Sequence, residues 1–307
     1  MLSNLTSKLY ALILFSGCFG LHWAQAAMPP ADWLDDMHYA IHHLNYAGRF
    51  IYQVGPDVAT INLQRQGHGE HLHSLNGRPY EIVRGQNSWD TQVTSEQSTK
   101  IPGLLPQQHV IGLNCLFNYR QMMRHYQVQL GAQHRVAGRM TQIIDIQPTD
   151  ALRFGRRLYL DQATKLPLRS VLLDHAGKPL AQTLFVDFQL QTGESVKKTS
   201  AKPMQPALNR QTAGHRWRFE PLPAGFDMML HQYQKPVDRE HFIFSDGLSM
   251  VSVYLEPWSN DGMLGFSKQG ATWILGARKY NRRATLLGEV PKVTLQRVAD
   301  AIQPVRK

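Results

Sequence analysis

The residues of this 307-residue chain best suited to chemistry form a histidine-rich group at His68-Gly-Glu-His-Leu-His73. On a β-strand His71 and His73 would share one face, and the glutamate between His68 and His71 could join them from a turn, giving ligand types that suit zinc. A second pair, His38 and His42, has the i, i+4 spacing of one helix face. No carboxylate or cysteine set elsewhere completes either group, so we predict no metal site.

The chain lacks the local motifs that anchor common catalytic mechanisms. It contains no G-x-S-x-G, H-E-x-x-H, G-x-G-x-x-G or Walker loop, which are the signatures of nucleophilic, zinc-dependent and nucleotide-dependent enzymes. Ser, His and Asp residues are plentiful, but no spacing assembles them. These mechanisms therefore have no anchor in the sequence, and we predict a protein that is not an enzyme and uses no cofactor.

An apolar stretch runs from Ile101-Pro-Gly-Leu-Leu-Pro106 to Met123 and carries Met and aromatic residues. Methionine adapts its shape to different apolar surfaces. The stretch is interpreted either as ordinary core or as the wall of an acyl-chain cavity between a helix and a sheet. The predicted lipid-binding residues are Leu104, Leu105, Ile111, Leu113, Phe117, Met122 and Met123.

Residues 1–26 are typical of a secretory signal peptide. Lys8 precedes an apolar run from Leu9 to Leu21, and Ala24-Gln-Ala26 supplies a small-residue cleavage site. No later stretch approaches the roughly 20 apolar residues of a transmembrane helix. We therefore expect an exported protein.

The two cysteines are Cys18 and Cys115. Cys18 lies in a Phe-Ser-Gly-Cys sequence that leaves lipidation of the exported protein open. With cleavage after residue 26, Cys115 is the lone cysteine, so the fold must rely on its cores and not on an intramolecular disulfide.

The positive charge points to an anionic partner. Lys and Arg number 33 against 23 Asp and Glu, a formal net charge of +10. Export makes nucleic acid an unsuitable partner, so phosphorylated lipid, an acidic protein segment and the envelope surface remain. A cluster of Arg278, Lys279, Arg282 and Arg283 is interpreted either as a solvated hairpin or as a docking patch, because guanidinium groups bind carboxylates bidentately.

A polar, proline-containing stretch at 191–213 predicts a linker between two domains, 27–190 and 214–307. In the first domain, Asp32 is followed by a helical apolar stripe of Trp33, Leu34, Met37, Ile41 and Leu44. Short strands are predicted at 50–54, 60–66, 80–84, 141–147, 156–160, 168–173 and 180–190. This pattern favours a one-sided antiparallel sheet covered by helices.

The second domain is predicted to be a small α+β unit. Residues 215–219 alternate, two apolar runs flank a turn at Ser245-Asp-Gly-Leu248, and Pro291 introduces a terminal helix with Val298 and Ile302 on its buried stripe. The fold class is therefore α+β with two domains.

Two stretches at 242–254 and 287–302 resemble the C-terminal domain of the RseB/MucB family, and 158–174 extends the resemblance into the N-terminal domain. The resemblance implies a periplasmic negative regulator of the sigma-E envelope-stress response. It also implies an N-terminal domain similar to the LolA and LolB lipoprotein carriers, in which a curved sheet over helices holds lipid. That last point is fold-level analogy.

By this resemblance, the protein binds the periplasmic part of a membrane-spanning anti-sigma factor of the RseA/MucA type and protects it from regulated proteolysis. Lipid, lipopolysaccharide or mislocalised lipoprotein would release it. Self-association is left open. The alternatives are a lipoprotein or glycolipid carrier without a regulatory partner, and an envelope hydrolase acting on acidic polymer, which the missing motifs disfavour.

Overall fold

The computed structural model describes residues 28–67, 69–76, 80–84, 91–95, 118–191, 216–260 and 262–305. The predicted signal peptide lies outside these ranges, and so do residues 192–213 of the predicted linker. So do the predicted lipid-binding residues Leu104, Leu105, Ile111, Leu113 and Phe117.

A ten-stranded antiparallel sheet forms the N-terminal unit, in the order β5-β4-β3-β2-β1-β10-β9-β8-β7-β6. Its strands are β1 (Tyr46–Val54), β2 (Asp57–Gln66), β3 (Gly69–Ser74), β4 (Tyr80–Arg84), β5 (Thr91–Ser95), β6 (Tyr126–Val136), β7 (Arg139–Pro148), β8 (Gly155–Asp161), β9 (Pro167–Leu173) and β10 (Pro179–Leu190). Strand β10, the last of this sheet along the chain, pairs with β1, the first. The predicted antiparallel sheet is confirmed.

Helix α1 (Pro30–His43) covers this sheet. Proline at its start has the backbone angle a helix needs and no amide hydrogen to leave unpaired. Its buried face is Trp33, Leu34, Met37, Ala40 and Ile41, which pack in one core with sheet residues of β1, β2 and β3. The predicted apolar stripe is therefore confirmed.

All seven predicted strands of this unit are present, extended by up to four residues at their ends. Strands β3 and β5 were not predicted, because their sequences are short and largely polar. Strand β6 was not predicted either, although Tyr126, Val128 and Leu130 alternate with glutamines, since the pattern is not sustained past Leu130. Helix α2 (Tyr119–Met122) has only four residues, so the apolar stretch ending at Met123 contributes one short helix to the described part of the chain.

The C-terminal unit combines a six-stranded antiparallel sheet, in the order β12-β13-β14-β17-β16-β15, with a two-stranded sheet β11-β18. Its elements are β11 (Trp217–Phe219), β12 (Asp227–Gln234), the 3-10 helix Lys235–Val237, β13 (Arg239–Ser245), β14 (Met250–Pro257), β15 (Gly265–Gln269), β16 (Thr272–Lys279), β17 (Arg282–Gly288), α3 (Lys292–Asp300) and β18 (Ile302–Pro304). Helix α3 packs on β16 and β17. The predicted α+β fold class with two domains is thus confirmed.

A second core lies between this sheet and α3. Phe242, Phe244 and Val253 from the central strands meet Leu295 and Val298 of the helix, all fully buried. Among the residues that the structure describes, no helix combines the length and the apolar character that crossing a membrane requires.

Candidate functional site

The β13–β14 turn, residues 246–249, inserts into the N-terminal unit. Leu248 is 3% exposed and belongs to the hydrophobic core of the N-terminal sheet together with Met122 and Tyr126. The sequence predicted a turn here and did not predict its docking. We call the contacts between the two units together the interdomain junction, of which this turn makes one.

A fully buried ion pair crosses the interdomain junction. Arg153, from the segment between β7 and β8, donates from Nε to Oδ2 of Asp246 at 2.7 Å, and both side chains are 0% exposed. Arg153 also pairs with Asp150 and donates to the carbonyl oxygen of Ala224. Its guanidinium lies 5.2 Å from the centre of the Phe226 ring. One arginine therefore contacts the C-terminal unit at three points.

Asp246 is satisfied on both carboxylate oxygens. Oδ1 accepts the backbone N–H groups of Leu248 and Ser249 at 2.9 and 2.7 Å, which fixes the turn. Oδ2 accepts the Tyr126 hydroxyl at 2.9 Å in addition to Arg153. Burial and the neighbouring carboxylate raise the pKa of Tyr126 well above its usual value, so this hydroxyl remains a donor across the physiological range.

Two glycines allow the units to approach this closely. Gly247 has φ +95°, and a Cβ there would collide with the backbone of Asn118 and lie 3.0 Å from the amide nitrogen of Met122. Gly225 has φ +84°, and a Cβ there would collide with His125 and meet Arg153 at 2.8 Å. Both conformations favour glycine, and both sites also lack room for any larger residue.

Backbone and side-chain hydrogen bonds extend the interdomain junction. The Asn118 amide donates to the Gly247 carbonyl at 2.8 Å. The Gln121 side-chain amide lies 3.1 Å from the Gly225 carbonyl oxygen and 3.0 Å from that of Ser245. These bonds attach α2, the end of the predicted lipid-binding stretch, directly to the C-terminal unit.

A second contact between the units lies at α3 and at the β15–β16 turn. The hydroxyl of Thr294, in the first turn of α3, donates to the Leu152 carbonyl at 2.6 Å. Ala271, in the β15–β16 turn, is 1% exposed and packs against Phe154, Leu172 and Ala181 of the N-terminal unit. The junction therefore touches the C-terminal unit at several separate elements.

The predicted lipid-binding residues that the structure describes fall in two environments. Met122 is fully buried in the core beside Leu248, whereas Met123 is 44% exposed. Met122 therefore contacts the interdomain junction.

The predicted basic patch is divided between the two faces of the C-terminal sheet. Register pairs Arg278 with Arg283 and Lys279 with Arg282 on adjacent strands, so successive residues point to opposite faces. Lys279 pairs with Asp300 of α3 at 2.9 Å, and Arg282 pairs with Asp238 at 2.7 Å.

The other face carries Arg283 and Arg278. Arg283 donates to Glu256 at 2.9 Å. Arg278 is exposed, lies 4.6 Å from the Trp258 ring centre, and has no carboxylate partner among the residues that the structure describes. Three of the four predicted residues are thus engaged in ion pairs within the chain.

The ion pairs of Arg282 and Arg283 belong to a wider network around β12, β13 and β14. Hydrogen bonds from Arg216 and Arg282 lower the pKa of Asp238 to about 2. Glu240 lies between Arg216 at 2.6 Å and His231 at 2.9 Å. His241 is stacked on Tyr254, with ring centres 4.2 Å apart, and burial lowers its pKa to about 4. The His241 imidazole is therefore neutral in the folded sheet at neutral pH.

Of the histidine-rich group, His68 lies outside the described residues, and the other three members do not assemble as the metal hypothesis required. His71 and His73 do share a face of β3, with ring centres 6.0 Å apart. Glu70 points to the opposite, buried face and pairs with Arg65 at 3.1 Å, since it lies within the strand and not in a turn. Among the described residues no group of three or more potential ligands is suited to hold a metal ion.

Sequence reasoning missed Arg153, Tyr126 and Asp246 as junction residues. The available signal was the Asp-Gly-Leu turn, because a leucine at the tip of a polar turn needs an apolar surface to cover it. Arg153 sits in a segment without periodicity, and nothing in its neighbours marked it.

The fold and the junction define a two-domain α+β protein whose domains are joined by a buried polar contact. The chain belongs to the MucB/RseB family: the model of the MucB/RseB N-terminal domain matches residues 29–208, and that of the C-terminal domain matches residues 211–303.

Similar proteins are regulators by name. The sigma factor AlgU regulatory protein MucB of Pseudomonas aeruginosa is 28% identical over 96% of this chain and 97% of its own length. The sigma-E factor regulatory protein RseB of Escherichia coli K12 is likewise 28% identical, with the same coverage of each chain.

Solved structures agree over nearly the whole chain. A crystal structure of MucB in complex with MucA(peri) is 26% identical, covers 91% of this chain and 100% of its own, and has a TM-score of 0.66. A crystal structure of MucB is 27% identical, covers 90% of this chain and 98% of its own, and has the same TM-score.

Proposed function

We propose that this protein is a periplasmic negative regulator of a sigma-E-type envelope-stress response. It binds the periplasmic part of a membrane-spanning anti-sigma factor of the RseA/MucA type and protects that part from regulated proteolysis. Lipid, lipopolysaccharide or mislocalised lipoprotein releases it. The observation that carries this proposal is the similarity, over nine-tenths of the chain, to MucB solved in complex with MucA(peri).

Release by lipid requires two linked equilibria. A lipid shifts the affinity for the partner only if it binds the two domain arrangements with different affinity. A tenfold weakening of partner binding corresponds to about 1.4 kcal/mol of coupling. The interdomain junction is a suitable coupling element, because Met122 and Leu248 share one core.

The lipid site is proposed along the stretch from Leu104 to Met123. Within it, α2 is bonded to the C-terminal unit through Asn118 and Gln121. A lipid that displaced α2 would therefore strain the junction directly. Changing Leu104 and Leu105 together to Asp is expected to abolish the effect of lipopolysaccharide on partner affinity, measured by calorimetry, with partner affinity itself unchanged.

The basic residues are proposed partner contacts, with unequal roles. Arg278 is exposed on the sheet surface, so its guanidinium is the one best placed for an acidic partner. Lys279, Arg282 and Arg283 already pair with Asp300, Asp238 and Glu256. For these three, a partner carboxylate would join an existing network.

The carrier alternative is disfavoured by the interdomain junction. A carrier of lipid needs only the N-terminal domain, whereas here Leu248 of the C-terminal unit completes the N-terminal core. A carrier would bind cargo without protecting an anti-sigma factor.

Protection from proteolysis tests the proposal. The purified periplasmic segment of the host's anti-sigma factor is incubated with the protease that makes the first cut, with and without the protein at residues 27–307. We expect the protein to slow cleavage and lipopolysaccharide to restore it. Equal cleavage rates with and without the folded protein would contradict the proposal.

A further inference from the structure

Strand β15 (Gly265–Gln269) is an open edge of the C-terminal sheet. It pairs with β16 in uninterrupted register, from Gly265 opposite Gly276 to Gln269 opposite Thr272. Among the described residues no strand pairs with its outer side. Such an edge presents unpaired backbone N–H and C=O groups that can receive another strand.

Apolar side chains are concentrated at this edge. Met263 is 45% exposed, Leu264 57% and Phe266 39%. Phe266 also meets Trp273 edge-to-face at 6.5 Å between ring centres, and Trp273 packs on the core under α3. The apolar core of the C-terminal unit thus continues outward to the open edge.

Two lysines complete the surface. The ammonium group of Lys292 lies 4.3 Å from the ring centre of Trp273 and 5.4 Å from that of Phe266. That of Lys268 lies 5.2 Å from Trp273. We call Met263, Leu264, Phe266, Lys268, Trp273 and Lys292 the β15 patch. Its charges complement a segment that carries carboxylates beside apolar residues.

Two other edge strands, β12 and β6, are blunted in ways that β15 is not. Strand β12 has a register shift between Met228 and Leu230, and β6 has one between Leu130 and Gln133. Such irregularities disrupt the ladder and protect an edge from pairing. On β12 the exposed ring of Tyr233 is held by Asp238 and covered by Arg216.

The β15 patch is continuous with the interdomain junction. The turn that follows β15 carries Ala271, which is buried against Phe154, Leu172 and Ala181 of the N-terminal unit. A segment paired with β15 would therefore run toward the N-terminal unit, and a movement of the two units would change the end of its binding site.

We infer that β15 is a docking edge for an extended segment of the anti-sigma factor, added as a further strand, with its apolar residues on Phe266 and Trp273 and its carboxylates on Lys268 and Lys292. This inference rests on the proposed function and specifies where the partner binds. A strand edge favours a peptide over a membrane surface, because a membrane does not need backbone hydrogen bonds.

Calorimetry with the purified periplasmic segment tests the inference. The variants are Phe266→Ser and the double change Lys268→Glu with Lys292→Glu. The matched control, Arg135→Glu with Lys235→Glu, makes the same charge change at exposed positions: Arg135 lies on β6 of the N-terminal sheet, and Lys235 adjoins β12, at the opposite edge of the C-terminal sheet from β15. We expect at least tenfold weaker binding for both patch variants and less than twofold for the control, with circular dichroism confirming that all are folded.

Hydrogen exchange provides a readout that needs no variant. Those amides of Gly265–Gln269 that point away from β16 are expected to exchange at least tenfold more slowly in the wild-type protein when the segment is bound. Wild-type binding without this protection, and with unchanged affinity of the patch variants, would overturn the inference and leave the proposed function standing.

Two other outcomes are decisive. If the folded wild-type protein does not bind the segment, the proposed function fails and this inference fails with it. If the patch variants lose binding to phosphatidylglycerol vesicles while keeping their affinity for the segment, the β15 patch contacts a membrane and the inference is overturned.

Discussion

Arg153 and Asp246 place two opposite charges in a site that excludes water. Burying an ion pair costs several kcal/mol of desolvation for each charge, and only close geometry with further hydrogen bonds offsets that cost. Here each partner has them: Arg153 reaches Asp150 and Ala224, and Asp246 accepts two backbone amides and the Tyr126 hydroxyl. The pair therefore specifies one docked arrangement of the two units.

Removing one partner should be costly. Arg153→Met leaves the Asp246 carboxylate buried without its cation, so we expect the free energy of unfolding to fall by about 3 to 5 kcal/mol. The matched control is Arg157→Met, because Arg157 forms an ion pair with Asp145 that is 41% and 20% exposed. Such an exposed pair contributes about 0.2 to 1 kcal/mol. Urea denaturation measures both, and equal losses would contradict the assignment of Arg153 to a buried junction.

His241 makes the stability of the C-terminal unit depend on pH. Its folded pKa is about 4 against an ordinary value of 6.5. Between these pH values the imidazole is protonated in the unfolded chain but neutral in the folded chain. The contribution of the neutral His241 to the free energy of unfolding is therefore complete above pH 6.5 and is lost as pH falls toward 4. The pKa difference corresponds to a change of about 3 kcal/mol in the free energy of unfolding.

The variant His241→Phe should remove this dependence, because the ring stacked on Tyr254 is retained and the titration is not. Urea denaturation at pH 7, 6 and 5 is expected to give a shallower loss of stability for the variant than for the wild type. The carboxylates Glu240 and Glu256 have lowered pKa values and lose their contributions at lower pH. Parallel stability curves across this window would show that His241 does not carry the effect.

The β13–β14 turn is the element that joins the two cores. Asp246 fixes its backbone through Leu248 and Ser249, and Gly247 allows it to lie against Asn118. A short turn without these features would stay on the surface, as most connections do. Its local geometry therefore serves the contact between the units.

Truncating Leu248 should open a cavity in the N-terminal core, although the residue belongs to the C-terminal unit. Leu248→Ala is expected to lower the free energy of unfolding by about 2 to 5 kcal/mol. Leu75→Ala is the control, since Leu75 is 48% exposed and surface changes stay within about 0.5 kcal/mol. Thermal and urea unfolding measure both. A loss for Leu248→Ala no larger than for the control would mean that the turn is not docked in solution.

Elements with strong periodicity could be predicted from the sequence, and polar ones could not. The stripe from Trp33 to Ile41 identified α1, and the apolar runs around residues 245–248 identified β13 and β14. Strand β3 was missed because Leu72 is its one apolar residue, and sheet pairing with neighbours overrides such weak local preference. Strand β6 was missed because its alternation, clear from Tyr126 to Leu130, ends at Gly131.

The candidate site was harder to predict than the fold for a physical reason. Arg153 and Asp246 are 93 positions apart, and only tertiary structure brings them together. The basic residues from Arg278 to Arg283 are close in sequence, but strand alternation sends them to two faces. Proximity along the chain is therefore a poor guide to a shared surface within a hairpin.

At the scale of the whole molecule, the two units are coupled through α2, the β13–β14 turn, the β15–β16 turn and α3. These contacts join the N-terminal unit to the loop before β12, to two turns of the C-terminal sheet and to α3. A displacement of α2 by a ligand would therefore shift several contacts with the proposed partner-binding unit. This arrangement suits a protein that releases its partner in response to a signal.

Calorimetric titration tests the central claim most directly. The protein at residues 27–307 is titrated with the purified periplasmic segment of the host's anti-sigma factor, first alone and then with lipopolysaccharide present. The account predicts tight binding that lipopolysaccharide weakens at least tenfold, about 1.4 kcal/mol. No binding in a folded sample, or an affinity that lipopolysaccharide leaves unchanged, would contradict it.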